Sequence, residues 1–168
     1  MPSRRLALIV LLILSVAGVA QHAWYWPRLP ERVATHFGIT GEADGWMNRT
    51  AAVGTLAGFQ LVFPALLVLL GAVVWRLPNS VINMPYKEYW LAPERRAESL
   101  EWMGRMLAWV AVCTSLFTAA IAHLSFVANR DGTKLDLGPF AAAMGLYLAA
   151  VFGLTGWSLW RFGRPPPR

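Results

Sequence analysis

Four stretches of the chain contain no Asp, Glu, Lys or Arg: residues 6–26, 51–75, 106–127 and 139–160. Each is close to the ~20 residues needed to cross ~30 Å of hydrocarbon. None would bring a central charge into lipid. A single spanning segment must satisfy its own backbone hydrogen bonds, so all four are predicted to be helices whatever their periodicity. The expected fold class is an all-α integral membrane protein, a four-transmembrane-helix bundle forming one membrane domain over residues 1–168. Residues 27–50 form a structured outer loop and residues 76–105 a cytoplasmic loop.

Composition agrees with that pattern. Of 168 residues, 57% are hydrophobic and only 14% charged, against ~45–50% and ~25% in ordinary soluble domains. Too few charges remain to coat a soluble globule. The net charge of +6 does not point to nucleic acid, because the basic residues flank apolar runs. They set an orientation instead. Ten lie on one side (Arg4, Arg5, Arg76, Lys87, Arg95, Arg96, Arg105, Arg161, Arg164, Arg168) and five on the other (Arg28, Arg32, Arg49, Arg130, Lys134). By the positive-inside rule both termini are expected in the cytoplasm. Arg4 and Arg5 ahead of an apolar run also fit a cleavable signal peptide. The run continues, however, through Trp24, Tyr25 and Trp26, reaching spanning length with an aromatic belt. Trp75, Trp90, Trp102, Trp157 and Trp160 fall near the inner boundary, where Trp is expected to anchor. The single cysteine, Cys113, forms no internal disulfide and sits in an apolar run.

Helix association in lipid relies on small residues that let backbones approach. The fourth span offers Ala141, Gly145, Ala149 and Gly153; the third offers Ala111, Ser115 and Ala119, ending in His123; the second opens with Gly54 and Gly58. A tight bundle follows, with one small face available for a homodimer or another membrane protein. Pro64 lacks an N–H and frees the carbonyl of Gln60. The Gln60 amide is expected to hydrogen-bond a neighbouring helix across the resulting kink, with a ligand site as the alternative.

The outer loop carries the most specific sequence. Pro27 and Pro30 hold its start extended. Val33, Thr35 and Phe37 alternate with Ala34, His36 and Gly38, which predicts a short strand with His36 facing away from Val33 and Phe37. Gly38, Gly41 and Asp44-Gly45 read as turns that return the loop toward Trp46, so that His36 can meet Asp44. Asn48 or Thr50 is expected to cap the second span. In the inner loop, Pro93 and Glu94 suit the first turn of a helix running on into the third span. Along it, Glu98, Glu101 and Arg105 form a polar stripe facing solvent or headgroups.

The segment LPERVATHFGITGEADGW resembles the signature of the domain-of-unknown-function 1648 family, the N-terminal module of SdpI-type bacterial membrane proteins. Its elements fall on Leu29, Pro30, Val33, His36, Phe37, Gly41, Asp44 and Trp46. NMPYKEYWLAPERRAE in the inner loop resembles short stand-alone members. The resemblance implies a multi-pass protein of the bacterial inner membrane, with a role of binding, signalling or immunity type.

No phosphate loop, paired cysteine ligands, HExxH helix or serine nucleophile elbow is present. The first expectation is therefore a non-enzymatic protein with no cofactor, whose ligand or partner site is made by His36, Phe37, Glu42, Asp44 and Trp46. All three histidines fall on the outer side. His22, His36 and His123 could together hold zinc, which leaves a metal-dependent enzyme at the outer leaflet as an alternative. A small transporter subunit is another. Lys87, Arg95 and Arg96 are candidate headgroup contacts beside the bilayer itself.

Overall fold

The computed structural model describes residues 1–164; Arg168, counted among the basic residues above, lies outside the described residues. Four helices among them are long and apolar enough to cross a membrane. α1 spans Arg4–Tyr25, α2 Arg49–Val73, α4 Pro93–Asp131 and α5 Leu137–Phe162. Between α1 and α2 lies an antiparallel hairpin, β1 Arg32–Phe37 and β2 Ala43–Asn48; the single-turn α3, Lys87–Trp90, precedes α4. The expected all-α membrane bundle with a structured loop is the fold observed. Local chemistry explains the boundaries. The Ser3 hydroxyl caps α1 through the Leu6 N–H, Asn48 caps α2 through the Ala51 N–H, and Asp136 accepts from Gly138 at the start of α5. Pro93 occupies the first turn of α4, where its missing N–H is not needed.

α4 is the central element, and α1, α2 and α5 all pack on it. Gly71 of α2 and Gly104 of α4 set the closest crossing: a Cβ on Gly71 would lie 3.3 Å from the Gly104 Cα. The crossing therefore uses Gly71 and not Gly54 or Gly58, whose surroundings are open. On α4, Ala111 and Ser115 are fully buried, as the small-residue spacing predicted. The Ala141, Gly145, Ala149, Gly153 ladder of α5 behaves differently. All four residues are exposed, and a Cβ on Gly145 or Gly153 would meet nothing within 4 Å. α5 packs on α4 through other residues, among them Tyr147 stacked on Phe117 and Ser158 bonded to Trp102. α2 and α5 leave between them, on the surface of α4, an apolar cleft of about 570 Å³ lined by Phe59, Phe63, Phe117, Thr118 and Tyr147.

The end carrying the termini is closed by side-chain hydrogen bonds to backbone and to other side chains. Trp90 donates its indole N–H to the Phe162 carbonyl and Trp102 donates to the Ser158 hydroxyl. These two indoles are packing elements and not the boundary anchors that position alone suggested. Glu98, still largely exposed as the polar stripe predicted, pairs with Arg161, whose guanidinium stacks 4.3 Å from the Trp102 ring. The outward faces of α1, α2 and α5 carry exposed Leu12, Ile13, Leu66, Leu146 and Phe152. Exposed apolar side chains at this density suit a lipid solvent.

Candidate functional site

The hairpin forms because apolar Val33 can be buried against the ends of α1, α2 and α4, in a cluster with Tyr25, Leu29, Ala52, Val53, Ala122 and Phe126. Its pairing is irregular. Ala34 faces Trp46, His36 faces Gly45, and Phe37 faces Ala43, so Thr35 and Asp44 are each extra residues in the ladder. The break explains why strict alternation fails: Val33 and Ala34 are both buried, Phe37 is half-buried, and His36 is exposed. Asp44-Gly45 is thus inside β2 and makes no turn. The reversal lies at residues 38–42, where Gly38 N–H donates to Glu42 and Gly41 N–H to Gly38. Gly41 has φ +82°, and a Cβ there would come within 2.5 Å of the Leu135 carbonyl. Gly45 is needed for proximity, since a Cβ on it would lie 2.8 Å from His36 Cβ.

The bulged Asp44 turns its carboxylate onto His36, whose Nδ1 it meets directly. The two side chains that the loop sequence brought forward are thus together, on the outside of the hairpin, 75% and 54% exposed. Trp46 and Met47 are also exposed, with the Arg32 guanidinium 5.5 Å from the Trp46 ring, and Ile39 at the tip is 95% exposed. Glu42 is not beside Asp44; it forms an ion pair with Lys134 at 2.8 Å.

The hairpin is held from beneath by residues that sequence reading did not single out. The Asn129 amide accepts from the Ala34 N–H (2.6 Å) and donates to the Ala34 carbonyl (2.9 Å). At the tip, Leu135 N–H donates to the Gly41 carbonyl (2.8 Å), beside the Glu42–Lys134 pair. An Asn near the end of an apolar span was the available signal for the first of these ties.

The three histidines are not brought to one point. His36 is on the exposed hairpin. His22 is buried in α1, its Nδ1–H donating to the Gly18 carbonyl at 2.7 Å and its ring edge against Phe126. His123 Nδ1 lies 3.0 Å from the Tyr25 hydroxyl. Among the described residues, no three His, Cys, Asp or Glu side chains are placed to share a metal ion. This arrangement does not fit the zinc site considered from sequence. On the opposite end, Arg96 turns inward to the Leu77 carbonyl (2.9 Å) and the Asn79 side chain (3.0 Å), while Arg95 stacks on Tyr89. Of the three candidate headgroup contacts, Arg96 is therefore committed to the protein, and Lys87 is half-buried.

No curated protein and no solved structure matches the chain. Residues 8–61 match the family model described as Domain of unknown function (DUF1648). The matched stretch takes in most of α1, the whole hairpin with its His36–Asp44 contact, and α2 as far as Leu61. Over that stretch the chain is similar to the DUF1648 family, whose unit here takes the form of two helices joined by the hairpin.

Proposed function

We propose that the protein is a multi-pass binding protein of the bacterial inner membrane, with both termini in the cytoplasm, that engages an extended segment of a partner protein through its hairpin. The observation that carries this reading is the combination of rigid support and outward exposure. Asn129 and Leu135 fix the hairpin from below, while His36, Asp44, Trp46, Met47 and Ile39 are left open to solvent. A two-stranded hairpin has free backbone donors and acceptors at its edge, and an added strand can pair there. Asn129 occupies part of the β1 edge, so β2 is the edge available. Trp46 would supply an aromatic anchor and the His36–Asp44 pair a polar one. Photo-crosslinkers at positions 39 and 46 test the reading in native membranes. Both should capture the same polypeptide, and Trp46→Ala should abolish capture without changing the melting temperature. Crosslinks to lipid alone would overturn it.

The exposed small face of α5 supports a second contact, between copies of the chain within the bilayer, since open Gly145 and Gly153 allow close helix approach. In-membrane cysteine crosslinking along α5, with loss on Gly145→Leu, tests that contact. Orientation rests on the ten-to-five distribution of basic residues. A reporter fused to the C-terminus that is active only outside the cytoplasm would reverse it.

A further inference from the structure

The interior of the bundle holds polar atoms that the hairpin reading does not use. Gln60 is 1% exposed, and neither its Nε2 nor its Oε1 has a hydrogen-bond partner among the described residues, contrary to the expected bond across the kink. Its side chain packs where Gly18 of α1 lacks one; a Cβ on Gly18 would overlap the Gln60 amide. Ser115 is fully buried and its Oγ is likewise unpartnered. That is unusual within this protein: Ser15, Thr114, Thr118 and Ser158 all donate to the carbonyl four residues earlier. His22, 5% exposed, donates through Nδ1 to Gly18, and its Nε2 has no partner. In the neutral ring that nitrogen is an acceptor.

Gln60 and Ser115 lie at one level, and His22 is tied to it through Gly18, whose carbonyl it bonds and which packs on Gln60. From the Gly71–Gly104 crossing, eleven residues toward the hairpin on each antiparallel helix lead to Gln60 (71 to 60) and Ser115 (104 to 115). Eleven residues make about three turns, so both return to the crossing face. α1 joins at the same level, with Gly18 against Gln60 and Gln21 donating to the Ala119 carbonyl, one turn beyond Ser115. Pro64 adds a further acceptor, because it cannot donate to the Gln60 carbonyl.

We infer that Gln60, Ser115 and His22 form a hydration site inside the membrane-spanning bundle, binding water between α1, α2 and α4. Leaving buried donors and acceptors unpaired costs more than making the bonds would gain. Water supplies both donors and acceptors, and it needs two to four polar partners in a buried site. The amide, hydroxyl and imidazole provide them. The spans carry no Asp, Glu, Lys or Arg near this level, so the site is matched to a neutral molecule and not to an ion. All the α1 and α2 contributors lie within the matched residues 8–61.

Two measurements on the full chain in nanodiscs test the site. In the wild type, the ¹⁵N-labelled Gln60 side-chain amide should show magnetisation transfer from water. Ser115→Ala should reduce that transfer at least about twofold and lower the melting midpoint by about 2–4 °C. Gln60→Met, similar in shape but unable to hydrogen-bond, should also melt lower. A Gln60→Met protein melting at or above wild type would overturn the inference, since its polar atoms would then have nothing to bind. Destabilisation by either variant without water transfer to Gln60 in the wild type would also overturn it, in favour of a direct side-chain pair. If Gln60→Met fails to fold, the wild-type transfer and the Ser115→Ala response still decide the question.

Discussion

Asn129 gives β1 the backbone pairing that a third strand would have given, accepting from and donating to the same residue, Ala34. Removing it leaves two buried backbone groups unpaired, each worth about 1–3 kcal/mol. Asn129→Ala should therefore lower stability by about 2–4 kcal/mol and speed hydrogen exchange at the Ala34 amide, with α1 and α2 amides unaffected. The His36–Asp44 contact contrasts with it. Both groups are largely exposed, so each alanine substitution should cost less than about 1 kcal/mol of stability. Partner capture should fall by similar factors in His36→Ala, Asp44→Ala and the double variant, because the two groups act as one unit. Strict additivity would mean that they bind independently. His36 and Asp44 were legible because a local motif and a short return path joined them. Asn129 was not, since its partner lies 95 residues away and an Asn near a helix end reads equally well as a solvated residue.

Among the elements, number, order and ends of the spanning helices follow from charge-free runs, prolines and caps. Which face of each helix turns inward does not. In a soluble protein the apolar stripe marks the buried side, but here lipid and protein interior are equally apolar, and hydropathy is similar all round. Small-residue spacing was the remaining guide. It succeeded for Ala111 and Ser115 and failed for Gly145, which faces outward. The consequence is testable: Gly71→Leu or Gly104→Leu should collapse the detergent melting transition, whereas Gly145→Leu should leave the monomer's midpoint within about 2 °C of wild type. Equal losses at Gly104 and Gly145 would mean that α5 packs through its ladder after all. Arg96 plays a comparable part in the loop between α2 and α4, where its guanidinium satisfies the Leu77 carbonyl and the Asn79 side chain. Arg96→Ala should make residues 76–92 the first site of limited proteolysis of the detergent-solubilised protein.

At the scale of the molecule, α4 joins two caps that the bilayer would otherwise keep apart. Its 39 residues rise about 58 Å at 1.5 Å each, nearly twice the ~30 Å hydrocarbon thickness. No proline interrupts it after Pro93, so it has no sharp hinge of that kind. One end holds Asn129 beneath the hairpin; the other holds Arg96, Glu98 and Trp102 among the loops and the end of α5. Mechanically, that is a stiff rod gripped at both ends and resting, about a third of the way from its Pro93 end, against the Gly71–Gly104 crossing. A partner that pushes the hairpin sideways cannot bend it easily and must tilt it. About a pivot at Gly104 the short arm moves Glu98 in the opposite direction and by less than the hairpin moves, which loads its pair with Arg161 of α5.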